Sequence, residues 1–88
     1  MKLFFYDLET TGLDSQKNAI HQMSGKIVID GVEKTTFNFK VRPFIGALID
    51  ETALKIGHVT EEQIMLYPSC HQNYIAFVTL IQKYVNRF

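Results

Sequence analysis

An apolar run that ends in two carboxylates opens this chain: Phe4-Phe5-Tyr6-Asp7-Leu8-Glu9-Thr10-Thr11-Gly12-Leu13. A run this rich in aromatic residues reads as a β-strand. Side chains two apart in a strand share a face. Asp7 and Glu9 therefore stand side by side at the strand's end, where their charges repel and call for a cationic partner. Oxygen ligands of this kind suit Mg²⁺ or Mn²⁺ far better than zinc. Carboxylates that hold such ions are the core of two-metal phosphodiester chemistry.

The rest of the chain reads as two further strands and then helices. Lys2 to Leu8 is apolar on both faces, as expected of a central, covered strand. Asp14 to Asn18 is a polar turn. Ala19 to Ile29 forms a second strand, and Asp30-Gly31 is a two-residue hairpin signal leading into a third, Val32 to Val41. In that third strand Thr35, Phe37, Phe39 and Val41 alternate with Lys34, Thr36, Asn38 and Lys40, one buried face against one wet face. Pro43 ends the sheet segment, and Phe44 to Ile49 is an apolar loop.

Asp50 to Ile56 suits a short helix stopped by Gly57. Thr60-Glu61-Glu62-Gln63 is a capping box that opens a second, and Ser69 to Gln72 opens a third. Cys70, Tyr74, Phe77, Val78, Ile81, Val85 and Phe88 give that last helix an apolar stripe. By alternation Tyr6 faces away from Asp7, into the core.

The opening segment resembles the first exonuclease motif of the DEDD superfamily, the DnaQ-like 3′–5′ exonucleases, which include the proofreading subunit of the bacterial replicative polymerase. Asp-Leu-Glu-Thr-Thr-Gly-Leu matches along its length. Ile20-His21-Gln22-Met23-Ser24-Gly25-Lys26-Ile27 sits where the family carries its second strand, often Ile-Ile-Glu-Ile-Gly. Val41-Arg42-Pro43 resembles its strand exit. Gly57-His58-Val59-Thr60 resembles its His-Gly-Ile-Thr segment, with His58 in the usual glycine place.

The resemblance implies an α/β, ribonuclease-H-like exonuclease fold, of which residues 1–88 hold the three antiparallel N-terminal strands and the following helices. It also implies roles. Asp7 and Glu9 hold two Mg²⁺ or Mn²⁺ ions. Thr10 offers its backbone N–H and hydroxyl to the 3′-terminal nucleotide. Gly12 supplies a tight turn through its tolerance of positive φ, and Leu13 packs on the terminal base, with Thr11 part of the same substrate-binding turn. The partner is the 3′ end of DNA or RNA, with a polymerase as a further partner by the same resemblance.

The family's two other carboxylates and its His or Tyr base belong to later motifs, and no Asp or Glu follows Glu62. The sequence therefore reads as a partial exonuclease domain, truncated before those motifs and inactive alone, whose unpaired first strand invites self-association.

Composition narrows the alternatives. Nine basic residues balance nine acidic ones, so no global basic field holds nucleic acid. One cysteine, Cys70, leaves no internal disulfide and fits a reducing, cytoplasmic setting, with packing as its expected role. His21, His58 and His71 lack ligand spacing for zinc; His21 and His71 read as surface or packed residues. Nothing approaches a membrane span. Two readings compete with the nuclease: a noncatalytic, degenerate nuclease module that binds nucleic acid or a protein partner, and a plain structural α+β domain.

Overall fold

The computed structural model describes residues 1–85. Three strands come first, β1 (Lys2–Thr10), β2 (Ile20–Ile29) and β3 (Val32–Lys40), then three helices, α1 (Glu51–Ile56), α2 (Glu61–Ile64) and α3 (Cys70–Val85). The strands form one antiparallel sheet in the order β1-β2-β3. Local chemistry accounts for the joints. Asp30 and Gly31 both take positive φ, 52° and 79°, the geometry that lets a two-residue hairpin match the strand twist. Asp50 caps α1 by accepting from Thr52 N–H at 2.9 Å. Thr60 and Gln63 form the expected capping box, and Ser69 and Gln72 exchange the same pair of bonds at the start of α3.

α3 covers one face of the sheet. Phe77 meets Phe4, Phe37 and Phe39 edge-on, with centroids 6.1 to 6.5 Å away, and Phe4 stacks on Phe37 at 5.2 Å. Gly25 makes this layer possible. A methyl group there would stand 1.9 Å from the Phe5 carbonyl oxygen and 2.7 Å from the Phe37 ring. The β3 alternation holds as expected, with Phe37 buried and Lys34, Thr36, Asn38 and Lys40 exposed. The opposite face of the sheet carries Phe5, Asp7 and Glu9, with Lys26 lying 5.7 Å over the Phe5 ring.

Among the described residues β1 stands at the sheet edge, the unpaired position expected of it, although its apolar pattern on both faces suits a covered strand. Three expectations need correction. Tyr6 is 62 % exposed rather than core. The inward stripe of α3 is rotated: Asn73, Phe77, Val78, Leu80, Ile81 and Tyr84 turn toward the sheet, while Tyr74 is exposed. Cys70, expected to pack, is an exposed free thiol. The rotation follows from Asn73, whose side-chain amide donates to the Lys40, Pro68 and Ser69 carbonyls and so fixes which face of the first turn meets β3. Phe88 lies outside the described residues. No described helix is long and apolar enough to cross a membrane.

Candidate active site

The β1–β2 register sets the site. Asp7 stands opposite Ser24, and Glu9 opposite Gln22. Between Glu9 and Thr10 the register shifts, so that Thr10 faces Ile20 and His21 is the extra, bulged residue. Bulges of this kind twist a strand and re-aim its side chains beside functional sites. Both carboxylates remain on the sheet face away from α3, as their spacing requires. Asp7 is exposed and its Oδ1 accepts from Leu8 N–H at 3.0 Å. Glu9 is half-buried, with Oε2 close to the end of α1: a methyl group on Gly57 would lie 3.4 Å from it. The ion pairs found among the described residues lie elsewhere, Met1 with Asp30 and Lys26 with Glu33. A shallow depression of about 300 Å³ adjoins Asp7, lined by Phe5, Ser24, Lys26 and Thr36 among others.

The turn after β1 divides the residues expected to touch substrate. Leu13 is fully exposed. Thr10 is half-buried, its hydroxyl donating to the Gly12 carbonyl at 2.8 Å. Thr11 is wholly buried and works as a strut: its hydroxyl donates to the Leu48 carbonyl at 2.7 Å and accepts from Ala19 N–H at 2.9 Å. Thr11 N–H meets the Ala19 carbonyl and its own carbonyl receives Asp50 N–H. Every polar group of Thr11 is thus spent inside the protein. Gly12 is needed for a reason other than positive φ, which it does not adopt. A side chain there would collide with the Asn18 amide at 2.5 Å, and that amide ties the turn together by donating to the Thr11 and Leu48 carbonyls. Asn18 was not among the sequence candidates; as one polar residue in a polar turn it carried no distinguishing signal.

His21 lies near Glu9. It is 1 % exposed, and neither ring nitrogen finds a hydrogen-bond partner among the described residues. Burial lowers its pKa, opposed by the Glu9 carboxylate. Of its two expected placements, surface or packed, it takes the second. His58 adopts φ 58°, the left-handed conformation, just after α1. The position that prefers glycine is therefore where the family keeps glycine, although this chain fills it with His58 and puts Gly57 before it.

Residues 4–86 match the family profile RNase_T, described as exonuclease. The chain belongs to this exonuclease family. No curated protein matches the chain. The match spans both the β1 carboxylates and the α3 layer, and it accords with three antiparallel strands followed by helices in a ribonuclease-H-like exonuclease fold.

The exonuclease family generally uses divalent metal ions. Asp7 and Glu9 fit as the first part of a ligand set: hard oxygen donors, on one face, with no ion pair to a cation among the described residues. No third His, Cys, Asp or Glu joins them among the described residues.

Proposed function

We propose that this chain carries the first metal-binding element of a DEDD-type, DnaQ-like 3′–5′ exonuclease acting on DNA or RNA. The observation that carries the reading is the Asp7–Glu9 pair, on an open sheet face with no ion pair among the described residues and followed closely by an exposed Leu13. Asp7 and Glu9 would hold the Mg²⁺ or Mn²⁺ ions, which when bound acidify an attacking water and stabilise charge on the scissile phosphate. The chain's own groups serve binding and orientation. Leu13 offers an apolar surface to the terminal base, and Thr10 a backbone N–H and hydroxyl to the terminal sugar. Thr11, Gly12 and Asn18 hold that turn rigid from behind, so we assign them no substrate contact. The proposal places the protein in the cytoplasm, with a nucleic-acid 3′ end as its partner.

A second reading is a noncatalytic module of the same family that binds nucleic acid or a protein.

Mn²⁺ titration of the 88-residue chain, followed by calorimetry and by paramagnetic broadening of the Ser24 and Gln22 amides, tests the metal assignment. Asp7→Ala should abolish the binding and leave the circular dichroism spectrum unchanged, since Asp7 is exposed. Unaltered Mn²⁺ affinity in that variant would refute the assignment. A 5′-labelled single-stranded oligonucleotide incubated with Mn²⁺ separates the two readings. A ladder of products shortened from the 3′ end supports the exonuclease, as does oligonucleotide binding that needs Mn²⁺ and is lost in Asp7→Ala. Binding that persists without Mn²⁺ and in Asp7→Ala supports the noncatalytic module.

A further inference from the structure

We propose that His21 is a positioning residue for Glu9: its ring, sealed inside the protein, supplies the hydrogen bond that holds the Glu9 carboxylate when that carboxylate takes up metal. The inference rests on the assignment of Asp7 and Glu9 to a divalent ion. His21 is 1 % exposed, and neither ring nitrogen has a partner among the described residues. A buried polar group without a partner is destabilising. Isoleucine or valine would fill such a strand position without that cost. An orphaned group of this sort asks for a role. The described residues already cover the ring, so its partner must be a group that stands beside it.

The β1–β2 bulge brings one there. Gln22 turns to the open face of the sheet, where its amide donates to the Asn38 side chain at 2.8 Å. Ile20 lines the cleft on the α3 side with Leu8 and Met23. Residues two apart in a regular strand share a face. These two do not, because His21 is inserted opposite the Glu9–Thr10 step. Two residues of β2 thus stand against one of β1, and the one left out of the ladder is the histidine. The Glu9 carboxylate is near enough to act on the ring by its charge, and no other charged side chain among the described residues does so.

Glu9 is as unattached as the ring. No hydrogen bond or ion pair to its carboxylate is found among the described residues. Its half-buried side chain ends with Oε2 close to Gly57, and it can turn about its own bonds while the packed ring stays in place. A carboxylate that ligates a metal through one oxygen keeps its orientation when the other is hydrogen-bonded, and such supporting bonds are worth about 10- to 100-fold in metal affinity. An ionised acceptor also makes the bond stronger than a neutral one would. Stability that the unpartnered ring costs the chain thereby returns as affinity for the ion.

Calorimetric titration of the 88-residue chain with Mn²⁺ tests this, beside His21→Ile and His21→Gln. His21→Ile should bind Mn²⁺ about 10- to 100-fold more weakly, although it melts higher without the metal. His21→Gln, which keeps an N–H donor, should recover most of the affinity. Saturating Mn²⁺ should raise the melting temperature of the unmodified chain more than that of His21→Ile. Diamagnetic Mg²⁺ gives a check that needs no variant: the His21 ring N–H proton, read in a long-range ¹H–¹⁵N spectrum, should shift downfield as Mg²⁺ is added. Unchanged Mn²⁺ affinity in His21→Ile, beside the loss expected of Asp7→Ala, would overturn this proposal and leave the metal assignment standing. Equal loss in His21→Ile and His21→Gln would also overturn it, because packing rather than the N–H would then hold Glu9. So would a ring signal indifferent to Mg²⁺. An unmodified chain that binds no Mn²⁺ would overturn the metal assignment and this proposal together.

Discussion

Replacing His21 by isoleucine should make this protein more stable, and the gain should grow in acid. A neutral imidazole brings one N–H donor and one acceptor nitrogen. His21 buries both at 1 % exposure with no partner for either among the described residues. A buried polar group left unsatisfied costs about 1–3 kcal/mol. Isoleucine removes that cost, fills a similar space and suits a strand residue. His21→Ile should therefore gain about 1–3 kcal/mol at neutral pH, and each kcal/mol raises the melting temperature of a domain this size by about 4–8 °C.

The pH dependence adds an independent check. Burial depresses the His21 pKa below its ordinary 6.5, and Glu9 only partly opposes this. The unfolded chain thus takes up a proton that the folded one resists. The neutral form's full stability is present above pH 6.5 and is lost as the pH falls below that value, until the folded-state pKa is passed. Isoleucine has no proton to take up. Urea unfolding of both proteins at about pH 7.5 and about pH 5 should show the stability gap widening toward acid. A less stable variant at the higher pH, or parallel loss in both proteins, would refute the reasoning. The first result would mean that the ring finds bonding partners in solution; the second, that the site is not dry.

Other consequences follow from single positions. Gly25→Ala should destabilise by about 3 kcal/mol, the upper end for overpacking, because the nearest obstacle is the Phe5 backbone oxygen and only separation of β1 from β2 relieves it; urea denaturation reads this directly. His58→Gly should raise stability by on the order of 0.5–1 kcal/mol, the left-handed penalty at φ 58° less glycine's extra chain entropy. Thermal melts should show the gain, and a lower melting point would mean that the His58 side chain makes a stabilising contact. Phe77→Ala should cost about 3 kcal/mol, the low end for a buried phenylalanine because the ring is only half-buried, with loss of near-ultraviolet dichroism from the rings it meets.

Much of the fold was legible because it rests on short-range rules. Asp30-Gly31 marks a hairpin by backbone preference alone. Thr60 and Gln63, like Ser69 and Gln72, mark helix starts by a reciprocal hydrogen bond within four residues. Asp7 and Glu9 share a face because strand geometry repeats every two residues. The residues behind the site were less legible. Thr11 and Thr10 look alike in the sequence, yet one is a buried strut and the other borders the surface. The difference arises from the Leu48 carbonyl, 37 residues away. Tyr6 and Cys70 misled for a related reason: apolar character states a preference for burial but not whether another element arrives to provide it.

The sequence by itself determined the elements, the hairpin register, the helix caps and the carboxylate pair, since each depends on neighbours a few residues apart. Only the tertiary structure decided which side of the sheet α3 covers, that Gly12 and Gly25 are required by close approach, and that His21 is buried near Glu9. Those outcomes depend on volumes and bonds contributed by segments distant along the chain, and no local pattern contains them.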